Sequence, residues 1–340
     1  MRAAVALLLL AAGLGAVRAE GGPCDGPVRA EAPLTADDTL QTGEGVTFLA
    51  GAILAGPCAE GFGGFSAMVV DPDLRITAVS DRGNWLRAHL SLEDGAIALA
   101  DATLLSVAGS EAEGPRGRCE GLEAEGLVRT DDVLLMSFDS SGIVLAFDPE
   151  TLERRPDRDR PPLPLLRPGA EEGYEAIAAL PDGRLIALRE RETMRLPIRA
   201  NSFRPPAQRV WTLRPGQRWV ERQVYRGPPQ PRDANEFRVA DATNLPDGGL
   251  LLLETSWMRG KGNYARVVRA SFAGDTLSAS LPPLLAVAPG PLSDNFEAIA
   301  AVRSEAAGTL LLLLTDDNLS RRCVPNRGQR TKLLVFRLGE

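Results

Sequence analysis

Histidine is nearly absent: the chain of 340 residues has one, His89. A Ser-His-Asp hydrolase would have to be built on it, and no G-x-S-x-G elbow accompanies it. Cysteine is scarce as well. Cys24, Cys58, Cys119 and Cys323 show no C-x-x-C spacing, which excludes the common zinc and redox motifs. Aromatic residues make up 5% of the chain, so a core must be built from Leu, Val, Ile and Ala. Basic residues are outnumbered 38 to 45 by acidic ones, for a net charge of −7. Such a balance argues against a nucleic-acid partner, which needs a basic face. Beyond the first 19 residues no apolar run is long enough to span a membrane as a helix, and no long helical periodicity is visible.

The N-terminus reads as a targeting segment. Arg2 precedes an apolar stretch from Ala3 to Ala16, and Val17-Arg18-Ala19 offers small residues for cleavage after Ala19. Residues 1–19 are therefore expected to be a signal peptide, with the mature protein periplasmic or secreted and without a membrane span. Cleavage would remove two arginines and leave 36 basic against 45 acidic residues, or −9. An even cysteine count in an exported chain predicts two disulfides, with three pairings open. Residues 20–44 are rich in Gly, Pro, Asp and Thr and read as an irregular leader; 45–340 then form one domain.

That domain is repetitive. Five times a short apolar run leads through a turn to a second apolar run with acidic residues at the outer ends: Phe65 to Asp81, Glu125 to Asp139, Glu175 to Glu190, Asp241 to Glu254 and Glu297 to Asn318. Pro181-Asp182-Gly183 and Pro246-Asp247-Gly248 read as tight turns, with glycine supplying positive φ. A period of about fifty to sixty residues signals a radial or stacked repeat. Each pair is followed by up to two further amphipathic strands, the composition of a propeller blade. The last repeat is one strand short, and Val46 to Leu54 is a spare apolar strand near the start. The expectation is an all-β fold, a five-bladed β-propeller whose ring the N-terminal strand closes. Six blades are the alternative, because 106–121 and 154–168 have no assigned place.

This arrangement sorts the carboxylates. The start of a blade's first strand and the end of its second lie on the same face of the disk. Glu125, Glu175, Asp241 and Glu297 open first strands; Asp81, Asp139, Glu190, Glu254, Asp316 and Asp317 close second ones. All are expected around one mouth of the central channel. Crowded carboxylates recruit cations, hold protons or pair with arginine. Oxygen donors without nearby Cys or His favour Ca²⁺ or Mg²⁺, with Glu125, Asp241, Glu297, Asp317 and Asn318 as the expected ligands. Arg82 and Arg322 lie on loops of the same face and suit a small anionic or ester substrate. Gly61-Phe62-Gly63-Gly64 lacks the strand–loop–helix context of a phosphate cradle and reads as tight packing.

Gly61-Phe62-Gly63-Gly64-Phe65-Ser66, Ser80-Asp81-Arg82-Gly83, Glu125-Gly126-Leu127, Glu175-Ala176-Ile177-Ala178, Asp241 to Gly248, Asp294-Asn295-Phe296-Glu297 and Asp316 to Ser320, in this order and spacing, resemble the family described as esterase-like activity of phytase. The resemblance runs from about Gly61 to Leu338. It implies an exported protein that hydrolyses esters or phosphoesters, with Asp81, Arg82, Glu125, Glu175, Asp241, Glu297, Asp317 and Asn318 as signature positions. The insert from Arg322 to Gly328, with Cys323 inside it, departs from the shorter loop expected in relatives.

Two functions follow as expectations. One is a metal-dependent hydrolase in which a bound cation activates water, Asp81 and Glu175 move protons, and Arg82 or Arg322 balances developing charge. The other is a non-catalytic propeller that docks a ligand or a protein partner and carries structural calcium. Propellers host both.

Overall fold

The run Leu310-Leu311-Leu312-Leu313-Leu314 is apolar at every position, so the strand it forms must be covered on both faces. A blade packed between two neighbouring blades meets that requirement. The computed structural model describes residues 26–107, 123–138, 142–161, 163, 174–189, 207–226, 237–274, 276–320, 324–326 and 328–339.

The chain begins with β1 (Arg29–Leu34), β2 (Leu40–Thr42) and β3 (Val46–Ala55). Blade 1 is β4 (Phe65–Val70), β5 (Arg75–Ser80), β6 (Asn84–Glu93) and β7 (Ala96–Ser106). Blade 2 has β8 (Ala124–Arg129), β9 (Leu134–Phe138) and β10 (Val144–Phe147). Blade 3 is β11 (Tyr174–Ala179), β12 (Leu185–Arg189), β13 (Ala207–Leu213) and β14 (Val220–Arg226). Blade 4 is β15 (Arg238–Asn244), β16 (Leu250–Met258), β17 (Gly262–Ala273) and β18 (Thr276–Ala279), followed by the short β19 (Leu285–Val287). Blade 5 is β20 (Asn295–Ser304), β21 (Gly308–Asp316) and β22 (Lys332–Leu338), completed by β3.

The innermost strands close a ring: β4 contacts β8, β8 contacts β11, β11 contacts β15, β15 contacts β20, and β20 returns to β4. The fold is thus a five-bladed β-propeller. Closure is by the N-terminal strand, as expected: β3 pairs antiparallel with β22, with Ala50 opposite Val335 and Ala52 opposite Leu333. The core is not one mass but five layers, one per blade interface. Met68 and Ile76 meet Leu312 and Val335 between blades 1 and 5. Leu253 and Val267 meet Leu313 and Phe336 between blades 4 and 5. Equivalent clusters fill the other three interfaces.

Two expectations change. The leader is not irregular throughout: β1 adds to β3 as an outer fifth strand of blade 5, and β2 pairs with β19. Pro33 is accommodated because β1 is an edge strand, where proline is tolerated. The stretch after Thr151 also has a place. Phe147 bridges Arg154 and Val144 bridges Arg160, so this segment lies along the outer edge of blade 2 and needs no sixth blade. Blades 3 and 4 are joined at the rim, where β14 and β18 pair in parallel.

Candidate functional site

Every innermost strand begins with a β-bulge at the same place. The register slips between Phe65 and Ala67, Ala124 and Gly126, Tyr174 and Ala176, Val239 and Asp241, and Phe296 and Ala298. The extra residues are Ser66, Glu125, Glu175, Ala240 and Glu297. Bulges re-aim side chains and recur at functional rims. Glu125, Glu175 and Glu297 are therefore structural equivalents, half-buried at one mouth of the channel.

Asp241 is not their equivalent. It stands one place further in, where the other blades have Ala67, Gly126, Ala176 and Ala298. A one-residue offset along a strand turns a side chain to the other face. Asp241 is buried, and its oxygens accept the N–H groups of Ala242 at 2.7 Å and Ile299 at 2.9 Å. Burial pushes its carboxyl well above the usual range. Glu254 is displaced in the same sense. It faces Val239, at the position of Ser80, Phe138, Arg189 and Thr315 in the other blades. There it accepts Tyr225 Oη at 2.7 Å and Arg266 Nε at 2.6 Å. Both acids of blade 4 thus serve the interior.

The remaining acids gather at the seam between blades 5 and 1. Asp81, at the end of β5, lies against Arg82, Nη2 to Oδ2 at 3.1 Å, and 19% of its side chain is accessible. Its Oδ1 is buried and has no hydrogen-bond partner among the described residues. Burial first, and then Glu123 and Asp317 against the opposing pull of Arg82, push its carboxyl up to about 7. Arg82 also donates Nε to the Leu319 carbonyl at 2.7 Å. Asp316 accepts the Asn318 N–H at 2.6 Å; burial and the charges of Asp81, Glu297 and Asp317 drive its carboxyl upward. Asn318 is exposed and has a positive φ of 52°. Glu297 is raised by burial, with Arg238 opposing.

Asp317 accepts the Gly64 N–H at 2.9 Å and the Thr331 hydroxyl at 3.2 Å. The glycine run beside it is packed as the sequence suggests. A Cβ at Gly63 would stand 2.6 Å from Asp317 Oδ1, and one at Gly64 would stand 2.5 Å from Asp81 Oδ1. Sequence reasoning found Asp317 but missed the Leu319 carbonyl, a backbone acceptor that side-chain motifs do not mark, and Thr331, which carries no motif.

Of the residues expected at this mouth, the structure therefore brings together Asp81, Arg82, Asp316, Asp317 and Glu297. Glu125 and Glu175 share the mouth on blades 2 and 3. Arg322, Asp139 and Glu190 lie outside the described residues. Among the described residues no group of three Asp, Glu, His or Cys side chains could hold one ion. Asp241 and Asp317 each have both oxygens in hydrogen bonds. Cys58 is buried, and no cysteine among the described residues is free; the other three lie outside them. His89 is exposed beside Asp73, at 3.6 Å, and away from the mouth. A cavity of about 1260 Å³ opens on the opposite face, among the turns at Pro181, Pro215 and Pro246.

Solved structures similar to this one are distant in sequence. The PQQ-bound aldose sugar dehydrogenase of Streptomyces coelicolor is 15% identical over 90% of this chain and 99% of that one, with a TM-score of 0.44. A protein of unknown function from Dyadobacter fermentans is 14% identical over 80% and 75%, with a TM-score of 0.38. The gluconolactonase XC5397 of Xanthomonas campestris is 11% identical over 90% and 99%, with a TM-score of 0.43. Likeness at this level carries no argument about activity. No curated protein matches the chain. The family described as "Phytase-like: Esterase-like activity of phytase" matches residues 60–319. The chain belongs to that phytase-like family.

Proposed function

We propose that this protein hydrolyses esters or phosphoesters of small anionic molecules at the seam of blades 5 and 1, with Asp81 and Arg82 as the catalytic residues. The observation that carries the reading is Asp81 itself: a largely buried carboxylate with one oxygen on Arg82 and the other without a partner. As a carboxylate, Oδ1 takes a proton from water while the water oxygen adds to the carbonyl carbon or the phosphorus. The same oxygen returns that proton to the departing alcohol oxygen, so acid and alcohol leave and Asp81 is restored. A group that titrates near neutrality suits both halves of the cycle. Arg82 balances charge on the attacked oxygen. Glu175, across the mouth, and Arg322 are the supporting members expected from the sequence.

Ca²⁺ or Mg²⁺ on this face is a separate proposal, carried by the oxygens of Glu125, Glu297 and Asn318, and no catalytic step here runs through it. A bound ion would polarise the ester oxygen. Export after cleavage at Ala19 and two disulfides belong to the same proposal. N-terminal sequencing of the secreted protein and thiol titration without reductant test them.

The second reading, a non-catalytic binding propeller with structural calcium, is favoured by one observation. Asp241 and Asp317 act as struts between blades. Hydrolysis of p-nitrophenyl acetate and p-nitrophenyl phosphate decides between the two. Turnover that falls about 100-fold in Asp81→Asn supports the catalytic reading. Absence of turnover, with Ca²⁺ raising the melting temperature, supports the binding one. EDTA sensitivity reads the metal independently.

A further inference from the structure

Gly64 is held from both sides. Its N–H donates to Asp317 Oδ1 at 2.9 Å, and its carbonyl accepts the N–H of Asp81 at 2.8 Å. The second oxygen of Asp317 accepts a hydrogen bond from Thr331 Oγ1 at 3.2 Å, and Thr331, just before β22, is 1% exposed. Thr331 in turn offers its carbonyl to the N–H of Leu54 in the closing strand β3, at 2.8 Å. A continuous path of hydrogen bonds therefore runs from the strand that closes the ring, through Asp317 and Gly64, to Asp81. At the two glycines beside it no side chain other than hydrogen fits. Gly63 and Gly64 have φ of +119° and +66°, and a Cβ on either would overlap a carboxylate oxygen of Asp317 or Asp81.

We infer that Asp317 is a positioning residue rather than a ligand: it fixes the Gly63–Gly64 segment and, through it, the placing of Asp81 across the blade seam. This rests on Asp81 being the reacting carboxylate. The reason is geometric. Both Asp317 oxygens are already used by fixed donors, one on blade 1 and one on blade 5. Its hydrogen bonds need an acceptor toward Gly64 and a polar partner toward Thr331, and neither needs a charge. An asparagine meets both conditions: its carbonyl oxygen accepts the Gly64 N–H, and its amide donates to the Thr331 hydroxyl. An alanine meets neither. Misplacement of a reacting group by about 1 Å can cost about 100-fold in rate.

The test compares Asp317→Asn with Asp317→Ala by steady-state hydrolysis of p-nitrophenyl acetate and p-nitrophenyl phosphate, and by amide hydrogen exchange of the peptide that contains Gly64. Asp317→Ala is expected to lower kcat about 10- to 100-fold with KM within about twofold of the wild type, and to speed exchange at Gly64. Asp317→Asn should keep at least half of kcat and the slow exchange. Should Asp317→Ala fail to fold, Thr331→Val removes one arm of the path, and a smaller drop in kcat with faster exchange is expected. An Asp317→Asn enzyme as impaired as the alanine variant overturns the inference, because the charge would then be what matters. Unchanged exchange in Asp317→Ala, or in Thr331→Val where that variant stands in, overturns it too. No turnover by the wild type defeats the reading of Asp81 as catalyst, while exchange at Gly64 still decides the positioning.

Discussion

Ile299 donates its backbone N–H to Asp241 at 2.9 Å, so an acid on the innermost strand of blade 4 is bonded to the main chain of blade 5. Adjacent innermost strands share no β-ladder, and this bond crosses the gap between them. Asp241→Ala should leave the amide of Ile299 buried without an acceptor, at a cost of about 1–3 kcal/mol. That corresponds to a fall in melting temperature of several degrees. Asp241→Asn keeps one acceptor, for the Ile299 N–H, while losing the one for Ala242, and should cost less than alanine. A calorimetric scan separates them; equal losses would mean that the acceptor for the Ala242 N–H matters as much as the one that spans the blades.

The carboxyls at the seam predict how stability responds to pH. Asp81 is pushed from the usual carboxylate range up to about 7, first by burial. Asp316, Asp317, Asp241 and Glu297 move in the same direction, also through burial. From about pH 4 to about pH 7 the folded protein holds protons that the unfolded chain has released, so stability falls as pH rises through that window. Glu150, held low by its hydrogen bond from Arg75, works the other way, but it is exposed and screened. The melting temperature should therefore be higher at pH 5 than at pH 8, and Asp81→Asn should flatten part of the slope. Stability that instead rises from pH 5 to pH 8 would mean that these acids are ionised and paired.

Glu254 and Arg266 form a buried pair, with 2% and 8% of their side chains accessible. Arg266 also lies over the ring of Phe237, 4.0 Å from its centroid. Removing one member strands the other charge away from water. Arg266→Ala should cost about 3–5 kcal/mol in urea unfolding. The double variant Glu254→Gln, Arg266→Met should recover much of that loss, because nothing charged is left behind. A double variant as weak as the single one would show that the packing of the arginine stem dominates.

Blade 4 also shows where reading the sequence stops. The motif Asp241-Ala242-Thr243-Asn244-Leu245 looks like Glu175-Ala176-Ile177-Ala178-Ala179 and Glu297-Ala298-Ile299-Ala300-Ala301, and the sequence alone aligns them by their acids. The bulges align them differently. Val239 and Asp241 flank the extra residue in blade 4, as Tyr174 and Ala176 do in blade 3, so Ala240 matches Glu175. No local pattern marks a bulge that falls one residue earlier, because both alignments preserve the apolar run that follows.

Chain-local information was enough for the blade strands, though not for β1 and β2, and for their grouping into five blades, the Pro-Asp-Gly turns and the closure by Val46 to Leu54. These follow from apolar runs and turn residues, whose meaning depends on near neighbours. It was enough also to place Asp81, Asp317 and Glu297 on one face. Which acids reach the mouth and which brace the interior was decided by ring closure. The Asp317–Gly64 bond joins residues 253 positions apart. A contact of that kind depends on the accumulated twist and register of every blade between its ends, and no segment of the chain contains it.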